Sequence, residues 1–134
     1  MGAWGYLPFD DDTVNDWADG LGDVDDLSYV KAAFDELEEV GSEYLDHDIA
    51  CNALGACEVL ARLRGRPGYK NAYTENVDQW VAAHKKLKPS QALIKRAVAA
   101  IDRILAQESE LREQWDGNDD WRRAVDDLRN RLGP

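Results

Sequence analysis

The residues best equipped for chemistry in this sequence are carboxylates, and they are unevenly distributed. Asp10, Asp11, Asp12, Asp16 and Asp19 crowd the first twenty positions. Asp12 and Asp16 stand four residues apart, one helical turn, and hard divalent cations take clustered carboxylate oxygens. The same acids also suit the start of a helix, where negative charge complements unpaired N–H groups, and contact with a cationic partner is a third reading. Asp23, Asp25 and Asp26 follow glycines but lack the alternating order and closing Glu of a calcium loop. Further along, His47, Asp48, Asn52 and Glu58 interrupt a mostly apolar stretch. Asp48 and Asn52 share a face at a four-residue step, and Glu58 has Arg62 one turn away as a natural ion-pair partner. Glu108 lies beside the stripe of Ile104 and Leu111 and would meet this group if that stripe packed on it. Asp48, Asn52, Glu58 and Glu108 are therefore candidates for a polar pocket holding a small ligand or a metal, because a buried carboxylate needs a partner.

Other chemistry has few raw materials. Cys51 and Cys57 are six residues apart, about 120° around a helix, so they do not pair with each other. They read as small buried apolar side chains of a reducing compartment, and no CxxC or Cys/His spacing of a zinc site is present. His84, near Trp80, reads as a boundary histidine. No Gly-rich phosphate loop, HExxH, GxSxG or EF-hand pattern occurs. The sequence names no catalytic residue and calls for no cofactor.

The elements that must position these groups are helical. The opening MGAWGYLPF, rich in Gly, Pro and aromatics, predicts an ordered non-helical segment with Trp4, Tyr6 and Phe9 tucked against helices. Val14, Trp17 and Leu21 give a short first helix ended by Gly20 and Gly22. Leu27, Val30, Phe34 and Leu37 mark a second, begun near Asp25 or Asp26, closed by Gly41, and carrying Asp35, Glu36, Glu38 and Glu39 outward. From about Ser42 to Leu63 little polar circumference remains, which predicts a central buried helix. Gly65, Pro67 and Gly68 break the chain before a fourth helix capped by Thr74 and ending ahead of Pro89. Leu93 to Trp115 reads as one long fifth helix, and Asn118 caps a sixth that ends at Gly133-Pro134. With no strand pattern, repeat or low-complexity linker, the expected fold is all-α, a single domain over 1–134 built as a bundle of about six helices.

Charge divides the chain. Residues 1 to 48 hold 15 acids against one base, Lys31, a balance of −14, while the remainder holds 12 acids against 15 bases, a balance of +3. Such a field disfavours nucleic acid through the acidic region and favours a basic protein partner. No apolar run approaches the roughly 20 residues that cross a bilayer, and the N-terminus runs into acids instead of a secretory signal. Tyr6 stands where a myristoylation motif after Met1-Gly2 requires Ser or Thr. A cytoplasmic protein without membrane attachment is expected.

Four segments carry a resemblance. MGAWGYLPFDDDTVNDW, CNALGACEVLARLRGRPG, ILAQESELREQWD and WRRAVDDLRNRL are similar to the bacterial domain-of-unknown-function 4259 family, whose members begin Met-Gly-x-Trp-Gly ahead of an Asp/Asn cluster. Leu7 stands where that family has Gly. The resemblance covers nearly the whole chain and implies a compact helical bacterial protein, with no activity or catalytic residue to carry over.

The leading expectation is thus a small acidic protein-interaction module, of the kind seen in immunity or antitoxin-like factors. Asp10, Asp11, Asp12, Asp16, Asp19, Asp35, Glu36, Glu38 and Glu39 would steer association, with Trp4 or Trp17 as apolar anchor. The alternative is a metal- or ligand-dependent enzyme using the polar pocket of the bundle.

Overall fold

A computed structural model describes residues 3–133. Met1 and Gly2 of the expected opening segment, and Pro134 of the expected Gly133-Pro134 stop, lie outside the described residues. Seven helices are present among the described residues: α1 (Asp12–Leu21), α2 (Ser28–Val40), α3 (His47–Leu63), α4 (Glu75–Ala83), α5 (Gln91–Leu105), α6 (Glu110–Gln114) and α7 (Asp119–Leu132). The all-α expectation holds. None of these helices is long and apolar enough to cross a membrane.

Local chemistry sets most boundaries. Asp11, Asp46, Ser90, Ser109 and Asn118 each precede a helix and accept a hydrogen bond from a first-turn N–H. Side chains at three- and four-residue steps then turn inward, as in Val14, Trp17, Ala18 and Leu21 of α1 and Trp121, Val125, Leu128 and Leu132 of α7. The apolar stretch expected to be central is central: α3 packs against every other helix, and Ala50, Ala53, Ala56, Cys57, Val59, Leu60 and Ala61 are fully enclosed or nearly so. Small residues let neighbours approach its axis closely. At Gly55 a Cβ would sit 2.8 Å from the Trp17 ring, so the indole of α1 lies directly on the α3 backbone.

Three sequence expectations require correction. The long fifth helix breaks into α5 and α6, because Ala106 is extended and Glu108 takes a positive φ of 58°. The break serves a pairing: Leu45 N–H donates to the Glu108 carbonyl at 2.7 Å, and Glu110 N–H donates to the Leu45 carbonyl at 2.9 Å. For the same reason α3 starts at His47 and not near Ser42, since Leu45 is extended against Ser109. Finally, only Phe9 of the three N-terminal aromatics is buried. Trp4 is 48% exposed and packs against Tyr73, and Tyr6 is 45% exposed.

The end of α3 is fixed by a buried ionic network. Glu58 accepts from Arg62 Nη1 and from Arg131 Nη1 and Nη2, the last two at 2.9 and 3.2 Å. Arg62 also donates to Asp78 at 2.8 Å and to the Tyr69 carbonyl at 2.7 Å. Arg131 donates to the Pro67 carbonyl at 2.8 Å and crowds Gly68, whose φ of +71° and missing Cβ make room for the guanidinium. The network thereby ties α3, α4, α7 and the RGRPG segment together.

Candidate metal centre

The N-cap of α1 and the first turn of α3 meet at one place. Asp11 caps α1 through its Oδ1, which accepts from the Thr13 N–H at 2.8 Å. That bond turns the other carboxylate oxygen away from the helix, and Oδ2 lies 3.4 Å from His47 Nε2. On α3, Cys51 follows His47 by one turn and sets its Sγ 3.4 Å from the same nitrogen. Asp11, His47 and Cys51 are the group of three His, Cys, Asp or Glu among the described residues whose ligand atoms could share one ion, all lying within 4.8 Å of one another.

The surroundings orient these atoms. His47 Nδ1 lies 2.9 Å from Asp48 Oδ1, which makes that nitrogen the donor and directs Nε2 at Asp11 and Cys51. The His47 backbone N–H, unsatisfied within α3, donates to Glu110 Oε1 of α6 at 2.8 Å. Asp11 and Cys51 are buried and His47 half-buried. A cavity of about 290 Å³ opens beside them, bounded by Ala3, Asp11, His47, Gln114 and Trp115. A smaller space of about 20 Å³, room for one water, touches Asp11, Cys51 and Leu7.

The electrostatics favour a cation. Burial, reinforced by Asp11, Asp48, Asp46 and Glu110, pushes the Cys51 thiol well above its ordinary range. For His47, burial pulls the imidazole down, but the Asp48 hydrogen bond and the charges of Asp11 and Asp48 outweigh it, and the net shift is upward. Both groups thus hold their protons more tightly than usual. A bound metal would replace both protons and reverse that logic.

The other candidate residues are scattered. Asp10 is half-buried and accepts from the Leu7 N–H at 3.3 Å. Asp12, Asp16 and Asp19 are exposed on α1. Asp35 and Glu38 share Arg96, at 2.6 and 2.8 Å, while Glu36 and Glu39 are exposed on the same helix. Trp17 is buried and stacked on Tyr29, so it offers no surface anchor, whereas Trp4 does. Asp11, taken as a surface acid from sequence, is only 6% exposed.

The polar pocket is not assembled as expected. Ten residues of α3 separate Asp48 from Glu58, about 15 Å of helix, beyond the reach of one ion. Glu58 is consumed by two arginines, Asn52 is half-buried on α3, and exposed Glu108 contributes its backbone carbonyl to the Leu45 pairing. Of the four, Asp48 alone stands at the centre, as the orienting partner of His47. Sequence reasoning missed the centre itself. The His47–Cys51 spacing of one helical turn was visible, but Asp11 lies 36 residues earlier and arrives only through packing of α1 on α3.

The model of the family described as a domain of unknown function (DUF4259) matches residues 2–126. No curated protein and no solved structure matches the chain.

Proposed function

The chain belongs to this family of unknown function, and from that premise we propose that it binds one zinc-class ion through Asp11, His47 and Cys51, leaving a fourth position open to the adjoining cavity. The observation that carries the reading is the spacing of the donor atoms. Zinc bond lengths of about 2.0–2.3 Å at tetrahedral angles require neighbouring ligand atoms about 3.3–3.6 Å apart. The two separations to His47 Nε2 are each 3.4 Å. Asp48 on the far imidazole nitrogen, and the Thr13 N–H on the far oxygen of Asp11, supply the outer hydrogen bonds that metal ligands ordinarily have. Three protein ligands with an open position are the pattern of sites where a metal holds a water or a substrate atom.

Cobalt(II) titration of the chelator-treated protein tests this. One equivalent should bind with a thiolate-to-cobalt charge-transfer absorption, lost in Cys51→Ser and weakened about 10- to 100-fold in affinity in Asp48→Asn. Affinity should rise with pH, because binding displaces the protons of Cys51 and His47, both of which are held more tightly than usual. Binding without the thiolate band, or stoichiometric binding by Cys51→Ser, would remove the site.

A second reading concerns the acidic surface. Asp12, Asp16, Asp19, Glu36 and Glu39 are exposed and make no ion pair among the described residues, and exposed Trp4, which packs on Tyr73, belongs to the same acidic N-terminal third. A cationic protein surface is the complement we infer for them, with the aromatic pair as anchor. The free, buried Cys51 and Cys57 support a reducing, cytoplasmic setting, and one continuous core supports a single domain.

A further inference from the structure

The C-terminal end of α3, the RGRPG segment and one side of α4 with its following loop enclose a cavity of about 660 Å³, within the range of small-molecule sites. Its wall carries five bases, Arg62, Arg64, Lys70, Lys85 and Lys88, against one acid, Asp78. Asp78 is already engaged by Arg62 at 2.8 Å and Thr74 at 2.7 Å, and Arg62 by Glu58. Arg64 donates to the Leu132 carbonyl and, among the described residues, to no carboxylate. Lys70, Lys85 and Lys88 pair with no carboxylate among the described residues. In a chain of net charge −11, four uncompensated cations therefore converge on one concavity. Like charges held together in this way repel until a counter-charge joins them, and a concave low-dielectric wall strengthens their combined field.

The rest of the lining narrows the ligand. Leu63 and Val81, both packed against the core, give an apolar floor. No aromatic ring lines the cavity among the described residues, so a nucleobase finds nothing to stack on. The lining shares no residue with the Asp11–His47–Cys51 centre. We propose that this cavity binds a phosphorylated, non-aromatic small molecule with at least two anionic groups, of the sugar-bisphosphate type. Arg64 and the three lysines would take the phosphates, and the floor would take the carbon skeleton.

Isothermal titration with fructose 1,6-bisphosphate tests it, alongside ADP and a short DNA duplex, on the full chain. The bisphosphate should bind one to one with a Kd below about 1 mM, at least tenfold more weakly to Lys70→Gln/Lys85→Gln/Lys88→Gln, and unchanged to Lys95→Gln, an exposed lysine of α5. All three cavity lysines are exposed, so the triple variant should melt as the parent does. Absence of saturable binding, or equal binding by the triple variant, overturns the proposal. So does an equal loss in Lys95→Gln, which would mean diffuse attraction. Tighter binding of ADP overturns the non-aromatic class, and tighter binding of DNA overturns the small-molecule site.

Discussion

Glu58 has no solvent contact and accepts three guanidinium hydrogen bonds, two of them from Arg131. A carboxylate so placed stabilises the fold only while its partners remain, since taking charge out of water is costly and each group relies on the others. Glu58→Gln keeps the shape but leaves Arg62 and Arg131 short of a counter-charge. We expect a loss of about 3–5 kcal/mol in urea unfolding, the range for breaking a buried pair from one side. A loss under about 1 kcal/mol would show that Asp78 and Asp127, which also bind these arginines, suffice without it. The Glu58–Arg62 pair was legible from its four-residue spacing; Arg131 was not, because nothing local couples it to a residue 73 positions away.

At the scale of elements, periodicity revealed the helices and N-caps began most of them, but tertiary pairing decided where α5 stops and where α3 starts. The stripe through Ile104 and Leu111 fits a continuous helix, yet Ser109 caps a new one, and Leu45 occupies the gap. Ser109 inside an apparent helix was the available sign, since its hydroxyl prefers a cap to a helix interior. The candidate metal centre divides the same way. Its His47–Cys51 half follows from one helix, whereas Asp11 depends on how closely α1 approaches α3. Gly55 sets that approach. Alanine there gains roughly 1 kcal/mol of helix propensity, but its methyl would meet the Trp17 ring at 2.8 Å and Val14 at 3.2 Å. We expect Gly55→Ala to be net destabilising by about 1–2 kcal/mol in urea unfolding, with a changed near-UV signal from Trp17. A stabilised variant would mean that α1 shifts freely on α3.

For the whole molecule, the division of charge read from sequence persists as surface. The acids of α1 and α2 largely face solvent, and Lys70, Lys85 and Lys88 gather beyond α3. Steering of this kind acts on association rate and weakens with salt. Reversing Asp12, Asp16, Asp19 and Glu36 to Lys should therefore slow capture of a lysine-rich test protein severalfold at low salt, measured by stopped flow, and have little effect at high salt. Equal rates for both forms would remove the acidic face as a docking surface. The Arg131–Glu58 bond also bears on how the chain is made. A ribosome delivers Glu58 long before Arg131, 73 residues later, so α3 must wait for one of its two counter-charges until α7 has nearly emerged. Truncation ahead of α7 would leave that carboxylate short of a partner and the apolar wall of α3 without its α7 cover, the exposed surface that chaperones hold and proteases cut. The ionic lock at the end of α3 thus ties the settling of the central helix to the synthesis of α7.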